Sequence, residues 1–255
     1  MVYKVKIALV TGADRGFGLS ISKCLLKLGW IVYAGKYIEE YTLLEQLREE
    51  NANLHIVQLD VGSKENIQAV YDEISKNHDH LDMFISNAAL MGMTGKDIPV
   101  SQKRTETPPR PENKFTDLDH TWRSFKVNAL GPLAITSIFK PLLDKSELKR
   151  LCFVSSEVSS ISMMHRDRGA AYPMSKSSLN MAVRMIHNDL YKQGYTFRLF
   201  HPGWMQRVML DGRRVEGAAI DPDFSAEFAI KYFTEPLLDE HRLVMVDYQG
   251  NEWAY

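Results

Sequence analysis

Gly12, Gly16 and Gly18 stand in the run Thr11, Gly12, Ala13, Asp14, Arg15, Gly16, Phe17, Gly18. The run directly follows an apolar stretch, residues 7–10, and directly precedes residues 19–28, whose apolar residues have helical spacing. Glycines so spaced let backbone approach a phosphate and let the following helix pack on the preceding strand. The helix amino terminus then turns its free N–H groups toward the anion. Much further along, Tyr172 and Lys176 lie four residues apart, so they share one face of a helix. A free tyrosine, with a pKa of about 10, is a poor base at neutral pH. A neighbouring ammonium favours the phenolate and would lower that value. With 11 tyrosines in the chain the spacing alone is not distinctive; its place at the start of a long helix, after a buried strand, gives it weight.

Such residues need elements to hold them. Strand-like runs at 5–11, 30–34, 54–59, 81–86, 151–155, 196–200 and 242–247 alternate with helical stretches at 19–28, 41–50, 63–77, 117–143, 171–193 and 223–238. The run Ile7, Ala8, Leu9, Val10 does not alternate with polar residues, as in a strand buried on both faces. This repetition predicts an α/β fold: a Rossmann-type, doubly wound parallel sheet of about seven strands with helices on both faces. With no internal repeat or linker, residues 1–255 read as a single domain. Two stretches lack apolar periodicity. Residues 91–116 hold Pro99, Pro108, Pro109 and Pro111, which exclude one regular helix or a central strand. Residues 203–222 are the second. Both are read as substrate loops, with 94–114 and 204–220 expected to be the least ordered parts.

Composition excludes several classes. Hydrophobic residues are 45% and charged residues 25% of the 255, which rules out a disordered tail, a collagen-like chain or a disulfide-rich miniprotein. A formal net charge of -1 gives no electrostatic reason to bind nucleic acid or an anionic membrane. Cys24 and Cys152 make no disulfide framework and fall short of a structural zinc site. His78 and His80 lack matching ligands and read as a solvated turn, so no metal site is expected. No run reaches the roughly 18 apolar residues of a membrane span, and the short run at 7–10 is no signal peptide. A cytoplasmic, reducing setting is the expectation.

The motifs together resemble the short-chain dehydrogenase/reductase family, in its one-domain branch, over nearly the whole chain. Thr11 to Gly18 resembles the family's T-G-x-x-x-G-x-G, and Asp60 with Val61, ending the third strand, its adenine-contacting pair. Ser86, Asn87, Ala88 and Ala89 resemble the N-N-A-G segment, and residues 127–132 the stretch with the active-site Asn. Residues 151–156 resemble the strand that ends in the active-site Ser. His201, Pro202, Gly203 and Trp204 resemble the loop over the nicotinamide. The ending at 246–250 is similar to the carbonyl-reductase-like subgroup. The resemblance implies an oxidoreductase passing hydride between NADP(H) and a small carbonyl or alcohol substrate. Tyr172 would be general acid in reduction and base in oxidation. Ser156 would bond the carbonyl oxygen, Lys176 would tune Tyr172 and hold the nicotinamide ribose, and Asn128 would hold a water linked to Lys176. Relatives are often homodimers or homotetramers packed through the helices around Asn128 and Tyr172.

The chain departs from the pattern at four places. Ser86 and Ala89 replace the first Asn and the Gly of N-N-A-G, and the Ala89 methyl narrows the nicotinamide floor. Arg207 stands near the place of the usual carboxamide-binding Thr. The interval from Ser156 to Tyr172 is longer than usual, which leaves Ser155, Ser159 and Ser160 as rivals; Ser159 fits the usual interval, while Ser156 ends the strand. The proline-rich loop between Asn87 and Asn128 is also longer. His165, the methionines Met163, Met164, Met205 and Met209, and the arginines Arg207, Arg213 and Arg214 border the expected pocket. For cofactor choice, Lys36 sits where an acid would take the ribose 2′-OH, and Arg15 lies on the glycine loop. Both would favour a 2′-phosphate, hence NADPH. The alternative to an enzyme is a noncatalytic dinucleotide-binding sensor or scaffold.

Overall fold

The computed structural model describes residues 5–91, 118–166, 169–209, 212–215 and 217–255. The proline-rich stretch expected as a loop lies, from residue 92 on, outside them. The first six strands are β1 (Ile7–Val10), β2 (Ile31–Lys36), β3 (Leu54–Gln58), β4 (Met83–Ser86), β5 (Arg150–Val154) and β6 (Thr196–His201). They alternate with α1 (Gly16–Lys27), α2 (Leu43–Glu49), α3 (Lys64–Asn77), α4 (Leu118–Phe125), α5 (Gly131–Leu143) and α6 (Ala171–Leu190). A short ribbon, β7 (Arg207–Val208) and β8 (Arg214–Val215), precedes α7 (Pro222–Thr234), β9 (Met245–Asp247) and β10 (Glu252–Trp253).

Eight strands form one sheet in the order β10-β9-β6-β5-β4-β1-β2-β3. Every neighbouring pair is parallel except β10 with β9. The expected doubly wound sheet of about seven strands thus gains an antiparallel eighth. Its two residues carry too little pattern to be read from sequence. Chain order reverses between β1 and β4, and the crevice outside the carboxyl ends of strands at such a reversal is where α/β sheets bind ligands.

Each face of the sheet buries its own core. Leu9, Phe84, Leu151 and Leu199 meet α3, α5 and α6 on one side. Ala8, Val10, Ile85, Cys152 and Phe200 meet α1, α2 and α7 on the other. Both faces of β1, β4 and β5 are therefore apolar, as the unbroken run at 7–10 requires. One long helix was expected over 117–143. Instead α4 passes through a single π turn, Lys126–Leu130, into α5. Pro132 is the second residue of α5, directly after the π turn.

Residues 204–220, expected among the least ordered, carry an organised ribbon in their described part. Arg207 pairs with Val215 and Val208 with Arg214, Met205 bridges to Ile220, and Arg214 is ion-paired to Asp221 and Asp223 at the start of α7. Backbone pairing and charge organise the ribbon, and neither leaves an apolar period.

Candidate active site

The register of the sheet brings the ends of β1, β4, β5 and β6 to one edge: Val10 lies opposite Ile85, Ser86 opposite Phe153, and Val154 opposite Phe200. The glycine loop leaves β1 there. Gly12 has a φ of +61°, and a side chain on it would meet the Ala88 Cα at 2.8 Å. A Cβ on Gly18 would sit 2.3 Å from the Gly12 carbonyl oxygen and 2.5 Å from Asn87 Nδ2, so α1 packs this closely only because residue 18 has no side chain. The Asn87 amide donates to the carbonyls of Thr11 and Gly12, both at 2.9 Å. The N–H groups of Asn87 and Ala88 both donate to Thr11 Oγ1 at 3.0 Å. These bonds lock the end of β4 to the loop.

The loop is shaped for an anion. Arg15 precedes α1 without capping it through its side chain, and the first turn has no acidic residue. Its N–H groups therefore remain available to a phosphate. These residues fit the pyrophosphate of a dinucleotide, with Gly16 and Gly18 giving close backbone approach. The Phe17 side chain is core, stacked on Phe200 at 5.9 Å, so only its backbone can face a ligand.

At the other end of the loop, Asp14 is buried and accepts the Ile38 N–H at 3.1 Å. Burial, partly offset by Arg15, holds its carboxyl above the usual range. The Arg15 guanidinium lies 3.7 Å from the Asp14 carboxylate and 4.6 Å from the Tyr41 ring centroid. Lys36 is not a solvated side chain: it is buried at the end of β2, and its ammonium donates to Glu45 on α2 at 2.8 Å. Asp60 accepts the Gly62 N–H at 2.8 Å in the turn after β3, and Val61 is buried beside it.

The candidate catalytic residues converge from three elements. Tyr172 and Lys176 are in the first turns of α6, and Ser156 opens the 3-10 turn that follows β5. The Tyr172 hydroxyl is hydrogen-bonded to the Ser156 side chain. Ser155 and Ser159 are instead buried and bonded to Asn180, at 2.7 Å each, and the hydroxyl of buried Ser160 lies 3.4 Å from that of Ser162. Of the four serines, only Ser156 is thus placed against the phenol.

The electrostatics differ from the expected lowering of Tyr172. Burial pushes Tyr172 up to about 12, and its bond to Ser156 only partly offsets that. Burial also pushes Lys176 down to about 7. The Lys176 ammonium lies 5.9 Å from the Tyr172 ring centroid and donates to the Val154 carbonyl at 2.7 Å. Desolvation outweighs the favourable contacts at Tyr172 and alone sets the direction at Lys176.

Asn128 sits in the π turn, wholly buried. Its amide accepts the Leu90 N–H at 2.7 Å and donates to the Leu90 carbonyl at 3.0 Å and to Ser175 Oγ at 2.9 Å. Ser175 in turn donates to the Tyr172 carbonyl at 2.8 Å. Asn128 thus ties the segment after β4 to the catalytic helix. Sequence reasoning missed Ser175 and Asn180. Both are buried polar residues on α6 close in helical register to Tyr172 and Lys176, the one signal that pointed to them.

Pro202 is buried, Gly203 has a φ of +82°, and Trp204 is exposed at the carboxyl end of β6. Ala89 is exposed just past β4. His165, Met163 and Arg207 are exposed, whereas Met205 packs against the core on the α7 side. Tyr41 Oη donates to the Val208 carbonyl at 3.1 Å, joining the ribbon to the segment after β2. Among the described residues no group of three or more His, Cys, Asp or Glu is placed to hold a metal. No helix among them is long and apolar enough to cross a membrane.

The chain is similar to several known proteins. An uncharacterised oxidoreductase of Schizosaccharomyces pombe is 31% identical over 201 residues, 78% of this chain and 73% of its own. Rat estradiol 17-beta-dehydrogenase 2 is 32% identical over 239 residues, covering 90% of this chain but 57% of that protein. Among solved structures, the carbonyl reductase Sniffer of D. melanogaster superposes with a TM-score of 0.79 at 21% identity, over 99% of this chain and 100% of that one. NADPH-bound carbonyl reductase from chicken fatty liver gives 0.78 at 23% identity, over 99% and 95%. The family model described as short chain dehydrogenase matches residues 6–216, from the first strand through the ribbon after β6, and the chain belongs to that family of oxidoreductases.

Proposed function

We propose that this chain interconverts a carbonyl and an alcohol with NADP(H), using Tyr172 as the acid and base. The observation that carries the reading is the bonded pair of Tyr172 and Ser156 at the strand ends, with Lys176 beneath it. A bound nicotinamide dinucleotide supplies or accepts the hydride. Ser156 and Tyr172 offer two hydroxyl donors to one carbonyl oxygen, where negative charge grows as the carbon is reduced. A phenol held near 12 is protonated at neutral pH and ready to donate. In the reverse direction Tyr172 must first lose its proton; the charge of Arg166 favours that, and Lys176, when protonated, would add to it from 5.9 Å off the ring centroid. Asn128 keeps α6 and the segment after β4 in register through Ser175 and Leu90.

The glycine loop would hold the pyrophosphate, Asp60 and Val61 would contact the adenine, and Pro202, Gly203 and Trp204 would contact the nicotinamide. Residues 1–255 act as one domain, and the described part of 203–222 contributes a substrate wall, whereas the loop expected at 91–116 lies, from residue 92 on, outside the described residues. Two free cysteines, Cys24 and buried Cys152, suit a cytoplasmic, reducing setting. Exposed Leu118 and Trp122 on α4, with Met174, Met181 and Met185 on α6, support a homodimer or homotetramer packed through these helices. A panel of carbonyls and alcohols, followed by nicotinamide absorbance with NADPH, NADH and their oxidised forms, tests the reading. Turnover of a carbonyl with NADPH is expected; no turnover across a broad panel would contradict it.

A further inference from the structure

Lys36 and Arg15 are the two cations that suit a ribose 2′-phosphate, and the structure gives each a carboxylate. Arg15 faces Asp14 at 3.7 Å. Lys36 donates to Glu45 Oε1 at 2.8 Å, and Glu45 Oε2 is buried without a hydrogen-bond partner. Burial acts to raise the Glu45 carboxyl, but the bond from Lys36 and the helix backbone prevail and hold it below the ordinary value, so it is ionised. Asp14, Arg15, Lys36 and Glu45 sum to zero formal charge. A phosphate dianion arriving here meets a neutral cluster rather than two unopposed cations.

We propose that Glu45 is a specificity-determining residue: by neutralising Lys36 it holds down the preference for a dinucleotide bearing a 2′-phosphate. The inference rests on the dinucleotide reading above and concerns only its adenosine end. A lysine ammonium has three N–H donors, so Lys36 can keep Glu45 and still reach a phosphate. The carboxylate is then left beside a second anion at a site screened less than open solvent. If the phosphate instead displaces Glu45, the carboxylate loses the ammonium bonded to it. Either path weakens the phosphorylated ligand and leaves the unphosphorylated one nearly untouched. The pair has a separate value in the free chain, where buried Lys36 needs a counter-charge.

The test is calorimetric binding of NADP⁺ and NAD⁺ to the full chain and to Glu45→Gln, which keeps an acceptor for Lys36 and removes the charge. The Kd ratio of NAD⁺ to NADP⁺ is expected to rise at least about fivefold, through tighter NADP⁺, with NAD⁺ changed by less than about twofold. Glu45→Ala, which removes charge and acceptor together, must move the ratio the same way. Thermal unfolding of each variant checks that it folds. An unchanged ratio, or weaker NADP⁺ binding in both variants, would overturn the inference, the latter showing that Glu45 serves only to position Lys36. Failure of the unaltered chain to bind either dinucleotide would instead sink the dinucleotide reading.

Discussion

As the proposed donor, Tyr172 is suited by surroundings that hold its proton. With the phenol near 12, its protonated fraction barely changes across the neutral range, so carbonyl reduction should be nearly flat there. Alcohol oxidation draws on the phenolate, whose share grows tenfold per pH unit below the pKa. Initial rates in both directions on one carbonyl–alcohol pair should therefore diverge as pH rises; parallel profiles would count against Tyr172. Lys176 gives a stability prediction. Its folded pKa near 7 lies below its ordinary 10.5, so between these values the unfolded chain binds more protons and stability rises with pH. The cost of burying Lys176 is thus full below about 7 and relieved toward 10. Lys176→Met should raise the Tm of the ligand-free protein at neutral pH, and that gain should shrink by pH 10; an equal gain at both pH values would refute the sign. That Tyr172 and Lys176 share the start of one long helix was legible from spacing and placement. The balance between burial and charge was not, because it depends on atoms brought in from β5 and the 3-10 turn. Lys36 shows the same limit: its position at the end of β2 was legible, but its partner is nine residues on in another element.

Elements are set by how closely they can approach. Gly18→Ala places a methyl against the Gly12 carbonyl, and α1 must move away from the loop. The expected result is a stability loss of about 1 to 3 kcal/mol by denaturant unfolding together with loss of dinucleotide binding by calorimetry. A second set of contacts fixes α7. Arg150 donates to the Phe233 carbonyl at 2.7 Å, and Arg198 to the Tyr232 and Glu235 carbonyls at 2.7 and 2.9 Å. These buried guanidiniums satisfy the last carbonyls of the helix, and Glu240 neutralises Arg198 at 2.7 Å. Glu240→Ala leaves two buried cations without their carboxylate and should cost about 3 kcal/mol, read as a lower denaturant midpoint with unchanged slope. An unaltered midpoint would show that the carbonyls alone suffice. The glycine loop could be read from sequence because its spacing is local. The arginines could not, since a charged residue inside an apolar strand gives no sign of what receives it.

For the whole molecule, alternation of apolar runs with helical stretches was enough to reach the doubly wound sheet, because parallel strands joined by helices leave few arrangements. The added strand β10 and the β7–β8 ribbon escaped notice, being two residues each. Leu118 and Trp122 lie one helical turn apart on α4, and Met181 and Met185 one turn apart on α6, all exposed. Exposed apolar side chains of this kind can pair with another surface. If they join copies of this chain, Trp122→Glu should lower the mass found by light scattering without changing the circular dichroism. An unchanged mass in an oligomeric protein would place the interface elsewhere.

In the reaction proposed above, Tyr172 passes the proton while hydride moves between a dinucleotide and a carbonyl. Tyr172→Phe keeps the ring and removes the hydroxyl, so dinucleotide affinity should hold while proton donation is lost. The deciding measurement is kcat for NADPH-dependent reduction of one responsive carbonyl by the unaltered chain and by Tyr172→Phe, with NADP⁺ affinity determined in parallel. A loss of at least about 100-fold in kcat at nearly constant affinity is the predicted result; full turnover by the phenylalanine variant would contradict the account.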